Sequence, residues 1–326
     1  MTLSVSATVE RWPVAGYFII SRGAKSHVDV VRCVVSDGIN TGTAEATPIY
    51  YEGESAEECA EGIVQFAAAH PGLDRATLLQ NMPRGAARNA LDCALWDLEC
   101  RQKNTSLWQL AGLPEPFPLI SAFTISLGQP EIMEAQARQA AFNGQRLLKL
   151  KLSGQDDRER VAAVHRGAPD ARLIVDANES WNGLDVAAEA SQLAKYSVEL
   201  IEQPVSAGQD HLLSGVRSPV PLCADESCHT SADVERLAAY YDVINIKLDK
   251  AGGLTEAMAM AHAAQAMGLK IMVGCMLSTS LGIQPAFALA QLAHWVDLDG
   301  PLLLAKDRAD AFQFEFGRIL PGVRAG

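Results

Sequence analysis

From about Leu119 onward the chain repeats one grammar, a short β-rich apolar run followed by a helical stretch. The runs are LISAFT (119–124), RLLKLK (146–151), RLIVD (172–176), ELIEQP (199–204), VPLCAD (220–225), DVINIK (242–247), KIMVGC (270–275) and HWVDLD (294–299). Eight strand–loop–helix units in about 180 residues predict a parallel α/β barrel. A doubly wound open sheet is the alternative, but it usually has fewer strands and a glycine-rich phosphate loop after the first. Neither GxGxxG nor a P-loop follows a strand here.

The part before the repeats reads differently. Roughly the first 50 residues alternate apolar and polar positions, with a turn at Asp37-Gly38, the pattern of an antiparallel meander. Between about Ala56 and Ala111 the period becomes helical, in AEECAEGIVQFAAAH and AARNALDCALWDLECRQK. Strands followed by helices suggest a small α+β domain. The expected division is a capping domain over 1–115 and a barrel over 116–302. The tail, 303–326, alternates again in AFQFEFGRILPG and is expected to pack back onto the small domain.

Composition narrows the function. A formal net charge of -12 without any Lys/Arg cluster argues against a nucleic-acid partner. No apolar run reaches the length of a membrane span, and MTLSVSATVERWPV lacks the order of a secretory signal. The 7 cysteines include no CxxC pair, so they read as reduced core thiols, and the cytoplasm is the expected compartment. An exposed face on the small domain could support a homo-oligomer.

Ionisable residues stand at the C-terminal ends of the runs: Lys149 and Lys151, Asp176, Glu202, Asp225, Lys247, then Asp297 and Asp299. A parallel barrel builds its active site at that end. Asp176, Glu202 and Asp225 come from consecutive strands, and three close carboxylates repel unless a cation neutralises them. An all-oxygen set without His or Cys favours a hard ion such as Mg²⁺ over zinc. The bland alternative is a set of helix caps or loop acids.

Lys149 and Lys151 alternate on one strand, so both face the barrel interior. Lys247 lies four strands further round a ring of eight, and so opposite them. Salt bridges to the neighbouring acids would explain one such lysine more easily than three. Two amines across a metal site can each reach one face of a bound carbon. A hydrogen beside a carboxylate is very weakly acidic, and its removal needs positive charge on the carboxylate oxygens and a nearby base. A lysine with lowered pKa on each face would invert the carbon, whereas a single base would eliminate or cycloisomerise.

At these residues the sequence resembles the enolase superfamily, and within it the muconate lactonizing subgroup. That superfamily is known for lysine bases working with Mg²⁺. KLKLSG, IVDANESW, IEQP, CADESCHT, NIKLDKAGGL and VDLDGP are similar to the dipeptide epimerases, especially those acting on L-Ala-D/L-Glu. The similarity spans nearly the whole chain, including ARNALDCALWDLE.

The resemblance implies a (β/α)7β modified TIM barrel with an N-terminal α+β capping domain. It implies Lys151 and Lys247 as the acid/base pair, and Asp176, Glu202 and Asp225 as ligands of one Mg²⁺ per subunit. Lys149 would support the substrate carboxylate, and Asp297 with Asp299 would bind the ammonium of a dipeptide. Arg22, in the SRGAKS loop, could pair with a second substrate carboxylate or lie on the surface. Thr124 could bond to substrate or only finish its strand. Ser278, Thr279 and Ser280 could line the pocket. The implied reaction is 1,1-proton transfer at the C-terminal residue of L-Ala-L-Glu/L-Ala-D-Glu, in murein peptide recycling. Two alternatives remain: a cycloisomerase or o-succinylbenzoate synthase type of enzyme, and a binding protein that has kept the barrel without the chemistry.

Overall fold

The computed structural model describes residues 3–20 and 23–322. Strands β1 (Ser4–Ile20), β2 (Gly23–Ser36) and β3 (Thr41–Ala46) form an antiparallel sheet in sequence order. Asp37 sets the β2–β3 turn by accepting the N–H groups of Ile39 (2.8 Å) and Asn40 (2.7 Å). Alternation along β2 sorts its side chains. Val31, Cys33 and Val35 enter the main core, while Val28 and Val30 pack with Val14, Leu277 and Leu304 over the barrel mouth.

Four helices complete this layer: α1 (Ala56–Ala69), α2 (Arg75–Asn81), α3 (Ala86–Lys103) and α4 (Leu107–Ala111). Ser55 caps α1, Asp74 caps α2, and Ser106 with Gln109 forms a capping box on α4. Most of α3 is buried, because it is the wedge between the sheet and the barrel.

A short strand, β4 (Leu119–Ile120), precedes the barrel. The barrel strands are β5 (Phe123–Ile125), β6 (Leu147–Lys151), β7 (Arg172–Asp176), β8 (Val198–Glu202), β9 (Leu222–Ala224), β10 (Val243–Lys247), β11 (Lys270–Gly274) and β12 (Trp295–Asp297). They are parallel and follow one another in sequence order around the ring. Ala122 N–H to Val296 O (2.7 Å) and Leu298 N–H to Ser121 Oγ (2.9 Å) join the last strand to the first. The outer helices are α5 (Pro130–Phe142), α6 (Asp157–Gly167), α7 (Val186–Leu193), α8 (Ser231–Leu237), α9 (Leu248–Ala251), α10 (Leu254–Ala266) and α11 (Ser280–Leu289). The fourth connection carries only a 3₁₀ turn, Asp210–Leu213, because SGVRSPVP supplies two prolines that cannot continue a helix.

The barrel floor is one residue from each strand or its approach: Ala122, Leu147, Ile174, Leu200, Cys223, Val243, Met272 and Trp295. Side chains alternate along a strand, so stepping two residues from this floor gives the next inward layer. Parallel strands are covered on both faces, which is why the outward residues are apolar as well.

Two details differ from the sequence expectation. LISAFT is divided: its second half, Ala122 to Thr124, belongs to the barrel, with Phe123 and Thr124 in β5, while Leu119–Ile120 pairs outside it. The tail is divided too. Leu304 bridges Val14, Ala305 N–H donates to Pro13 O (2.8 Å), and Arg308 pairs with Glu10 and Glu45, all on the small domain. Strands β13 (Phe314–Glu315) and β14 (Arg318–Ile319) instead extend β4, whose free edge they satisfy while burying Ile319. Among the described residues no helix is long and apolar enough to cross a membrane.

Candidate active site

One layer above the floor stand Thr124, Lys149, Asp176, Glu202, Asp225, Asn245, Gly274 and Asp297; Lys151, Lys247 and Asp299 lie one step higher. All these side chains are buried at the C-terminal end of the barrel. With Tyr50, Tyr51 and the β1–β2 hairpin residues Phe18, Ile20 and Lys25, much of this set lines a cavity of about 290 Å³. The alternation that makes a strand also makes the site, since apolar residues fill the floor and ionisable ones fill the mouth.

Lys149 is 1% exposed and sits among three carboxylates: Glu202 Oε2 at 2.7 Å, Asp297 Oδ2 at 2.8 Å and Asp176 Oδ2 at 3.2 Å. Burial works to lower its pKa, but Asp297, Glu202 and Asp176 override it and hold the ammonium well above the usual lysine range. Lys151 Nζ lies 2.6 Å from Asp176 Oδ2 on the adjacent strand. Lys247 Nζ lies 2.7 Å from Asp225 Oδ2. Strands β6 and β10 are four places apart in the ring of eight, so these two pairs occupy opposite walls.

The carboxylates divide. Burial raises Asp176, yet Lys151 and Lys149 bring it down to about 2. Asp225 is lowered well below the usual range, because Lys247 and Lys250 outweigh its burial. Glu202 goes the other way: burial and then the charge of Asp176 push it up to about 8. Asn245 donates to Glu202 Oε1 (2.8 Å), while Glu202 Oε2 accepts no well-directed hydrogen bond.

As placed, the carboxylates surround ammonium groups, and among the described residues no three His, Cys, Asp or Glu form a chelating cluster. The donor set nevertheless suits a hard divalent ion. It is all oxygen, it is buried, and one member, Glu202, is pushed up by burial and then by the charge of Asp176, which a dication would relieve. The same carboxylates explain a departure from expectation at Lys247. Burial tends to lower its pKa, but Asp225 raises it well above the usual range, opposite to the lowered pKa expected of a base. A dication drawing on Asp225 would weaken that hold.

Asp299 is fixed by Thr124, whose N–H donates to its Oδ2 at 2.6 Å. Burial and then Asp297 raise Asp299 to about 7. Arg22 lies outside the described residues. Ser278, Thr279 and Ser280 do not line the cavity. Thr279 donates to Glu45 and Ser280 to Asp307, so they seat the small domain and the tail.

Sequence reasoning did not single out Asn245, Gly274, Gln203 or Lys25. Stepping by two along NIK and MVG would have found the first two. Gln203 is buried with φ +36° and accepts Asp225 N–H (2.8 Å) and Ser227 N–H (3.1 Å), fixing the turn after β9. Lys25 carries its ammonium 3.8 Å over the Tyr50 ring.

The small domain is stapled to the loop after Lys247. Arg88 donates to Gly252 O (3.0 Å) and Ala251 O (2.6 Å), and Asn89 to Asp249 Oδ1 (2.8 Å). Gly252 and Gly253 take φ +80° and +121°, and a Cβ on either would meet Arg88 Nε at 2.5 Å or Asp92 Oδ2 at 2.4 Å. Only glycine permits that approach.

A closed parallel barrel with lysines buried against carboxylates at its mouth, under an α+β cap, has the architecture of the enolase superfamily. Residues 132–325 match the family model "enolase C-terminal domain-like", and residues 3–112 match the mandelate racemase / muconate lactonizing enzyme N-terminal domain. The chain belongs to the mandelate racemase / muconate lactonizing enzyme family. It is 43% identical over 317 residues to the L-Ala-D/L-Glu epimerase of Escherichia coli (strain K12), covering 97% of this chain and 99% of that one. It is 42% identical over 295 residues to an N-acetyl-D-glutamate racemase of a Pseudoalteromonas species, covering 90% and 93%. Its fold matches an enolase family member from Agrobacterium tumefaciens with homology to dipeptide epimerases, crystallised with sodium and L-Ala-L-Glu. The TM-score there is 0.94 at 46% identity, over 99% of this chain and 98% of that one.

Proposed function

We propose that this protein is a Mg²⁺-dependent dipeptide epimerase that inverts the α-carbon of the C-terminal residue of L-Ala-L-Glu. The observation that carries this reading is the pair of buried lysines, Lys151 and Lys247, on opposite walls of one cavity and each against its own carboxylate. Asp176, Glu202 and Asp225 would hold the ion, which when bound supplies positive charge to the substrate carboxylate as its α-proton leaves.

Lys151 then serves one face of the carbon and Lys247 the other. The lysine that is neutral takes the α-proton, and the opposite lysine, as an ammonium, returns one to the other face. Lys149 stays charged among its acids and adds electrostatic support to the carboxylate. Asp297 and Asp299 receive the dipeptide's ammonium, which favours the ionised form of Asp299. Lys25, half-buried at the mouth, offers a cation to the acidic side chain of the second residue. The cytoplasm suits the chain, whose cysteines are all free thiols.

A second reading is N-acylglutamate racemisation, favoured by the 42% identity to the N-acetyl-D-glutamate racemase. It uses the same lysines but presents no ammonium to Asp297 and Asp299. Incubation with L-Ala-L-Glu or N-acetyl-D-glutamate in D₂O with Mg²⁺, followed by NMR of the glutamate α-proton, separates the two. Metal-dependent loss of that signal with formation of L-Ala-D-Glu supports the epimerase. Exchange of N-acetylglutamate alone would replace it with the racemase, and exchange of neither would refute both.

A further inference from the structure

Lys250 is a fourth buried lysine at the barrel mouth, and the mechanism above does not use it. Its Nζ donates to the backbone oxygens of Asp225, Cys228 (2.9 Å) and Asn245 (3.3 Å). It also lies 2.7 Å from Asp225 Oδ1, as an ion pair rather than a well-directed hydrogen bond. Three neutral carbonyls do not need a charged donor, and burying an ammonium is costly unless an anion meets it. The anion here is one oxygen of Asp225. The other oxygen, Oδ2, holds Lys247 at 2.7 Å.

The opposite wall is built differently. Asp176 Oδ2 holds Lys151, but its Oδ1 accepts a backbone N–H, from Asn178 at 2.9 Å. Asp176 also meets a second ammonium, Lys149 at 3.2 Å, but at the same Oδ2; its other oxygen is held by a neutral amide, whereas the other oxygen of Asp225 is held by a charged side chain. The charged one sits in α9, the turn that Arg88 and Asn89 of the small domain hold down.

We propose that Lys250 is a positioning residue: by claiming Oδ1 of Asp225 it turns Oδ2 toward Lys247 and the cavity, and so sets up one of the two faces of the reaction. This rests on the two-lysine reading for its kinetic consequence, though not for its effect on Asp225. Partners that orient a ligand typically change metal affinity 10–100-fold.

The test is Lys250→Met in the full-length protein. Mg²⁺ affinity is measured by isothermal titration calorimetry. The α-proton exchange of L-Ala-L-Glu and L-Ala-D-Glu is measured separately in D₂O, each face being assigned with Lys151→Ala and Lys247→Ala. The expected result is a Kd for Mg²⁺ at least tenfold weaker and a loss of Lys247-face exchange at least tenfold larger than that of the Lys151 face. Equal losses on both faces with an unchanged Kd would reduce Lys250 to a structural staple and overturn the proposal. If wild type exchanges neither epimer, the two-lysine reading fails by itself. A crystal structure of the wild type with Mg²⁺ then decides for Lys250, as it does if Lys250→Met does not fold. Lys250 Nζ against Asp225 Oδ1 upholds the proposal, and its withdrawal beyond 4 Å from both carboxylate oxygens rejects it.

Discussion

Lys151 and Asp176 face each other in register on adjacent strands, with Nζ 2.6 Å from Oδ2. Because Lys247 has a separate carboxylate on the far wall, the two proposed bases can be silenced independently. Lys151→Ala and Lys247→Ala should each lower epimerisation by roughly 10²–10⁴-fold. Each should leave solvent exchange of the α-proton from the surviving lysine's face, seen by NMR in D₂O with one epimer at a time. Full epimerisation by both variants would remove the two-base mechanism.

Asp299 provides a pH test of dipeptide recognition. Its carboxyl is raised to about 7, by burial first and Asp297 second, so in the free protein it ionises as pH rises through neutrality. An ionised carboxylate attracts the dipeptide ammonium, so KM for L-Ala-L-Glu should fall from pH 6 to pH 8. Asp299→Asn should flatten that profile and raise KM about tenfold or more. Activity on N-acetyl-D-glutamate, where present, should change less. Steady-state kinetics on both substrates settle it, and an unaltered KM profile in Asp299→Asn would take this residue out of ammonium binding.

Gly274 is the small residue that leaves room for Lys247. A Cβ there would stand 2.8 Å from Asn245 Oδ1 and 3.1 Å from Lys247 Cε. Gly274→Ala should therefore push Lys247 off its position. We expect kcat to fall at least tenfold with KM little changed, together with a stability loss of about 1–3 kcal/mol from overpacking. Kinetics beside urea denaturation check it, and wild-type kcat would mean that Lys247 tolerates the methyl group.

Asp249 should make the fold less stable as pH rises. It is buried, accepts Thr47 N–H (2.9 Å) and Asn89 Nδ2 (2.8 Å), and burial lifts its pKa to about 7. Between about pH 4 and 7 the folded carboxyl keeps a proton that the unfolded chain has lost. The unfolded state then binds fewer protons, and stability declines with pH until it levels above 7. This contribution is on the order of 4 kcal/mol. Asp249→Asn keeps the acceptor oxygen but not the titration, so urea midpoints of variant and wild type should diverge as pH increases from 4.5 to 7.5. Parallel midpoints would show that Asp249 ionises in the fold without cost.

The barrel was legible because parallel strands covered on both faces are written as apolar runs, and eight of them recur between Leu119 and Asp299. The charged residues at their ends stood out for the same reason: an interior strand has no packing use for Lys149 or Glu202. Less was legible where a residue's role depends on a neighbour far along the chain. LISAFT reads as one strand, yet Leu119 and Ile120 are claimed by Ile319 and Arg318 from the tail. Nothing local distinguishes Lys250 from a loop lysine, and only the folded turn brings it to Asp225.

Local sequence thus determined the period-two alternation, and with it which side chains point into the barrel and which end carries the ionisable ones. That follows from backbone geometry, which each strand imposes on its own residues. Tertiary structure alone decided the partners: Lys151 with Asp176, Lys247 and Lys250 sharing Asp225, and Lys149 among three acids. Those pairings depend on strand register, on ring closure and on the small domain seated over α9. They fix the charge each group carries, because in a buried site a pKa is set by what stands a few ångströms away rather than by the residue's own chemistry.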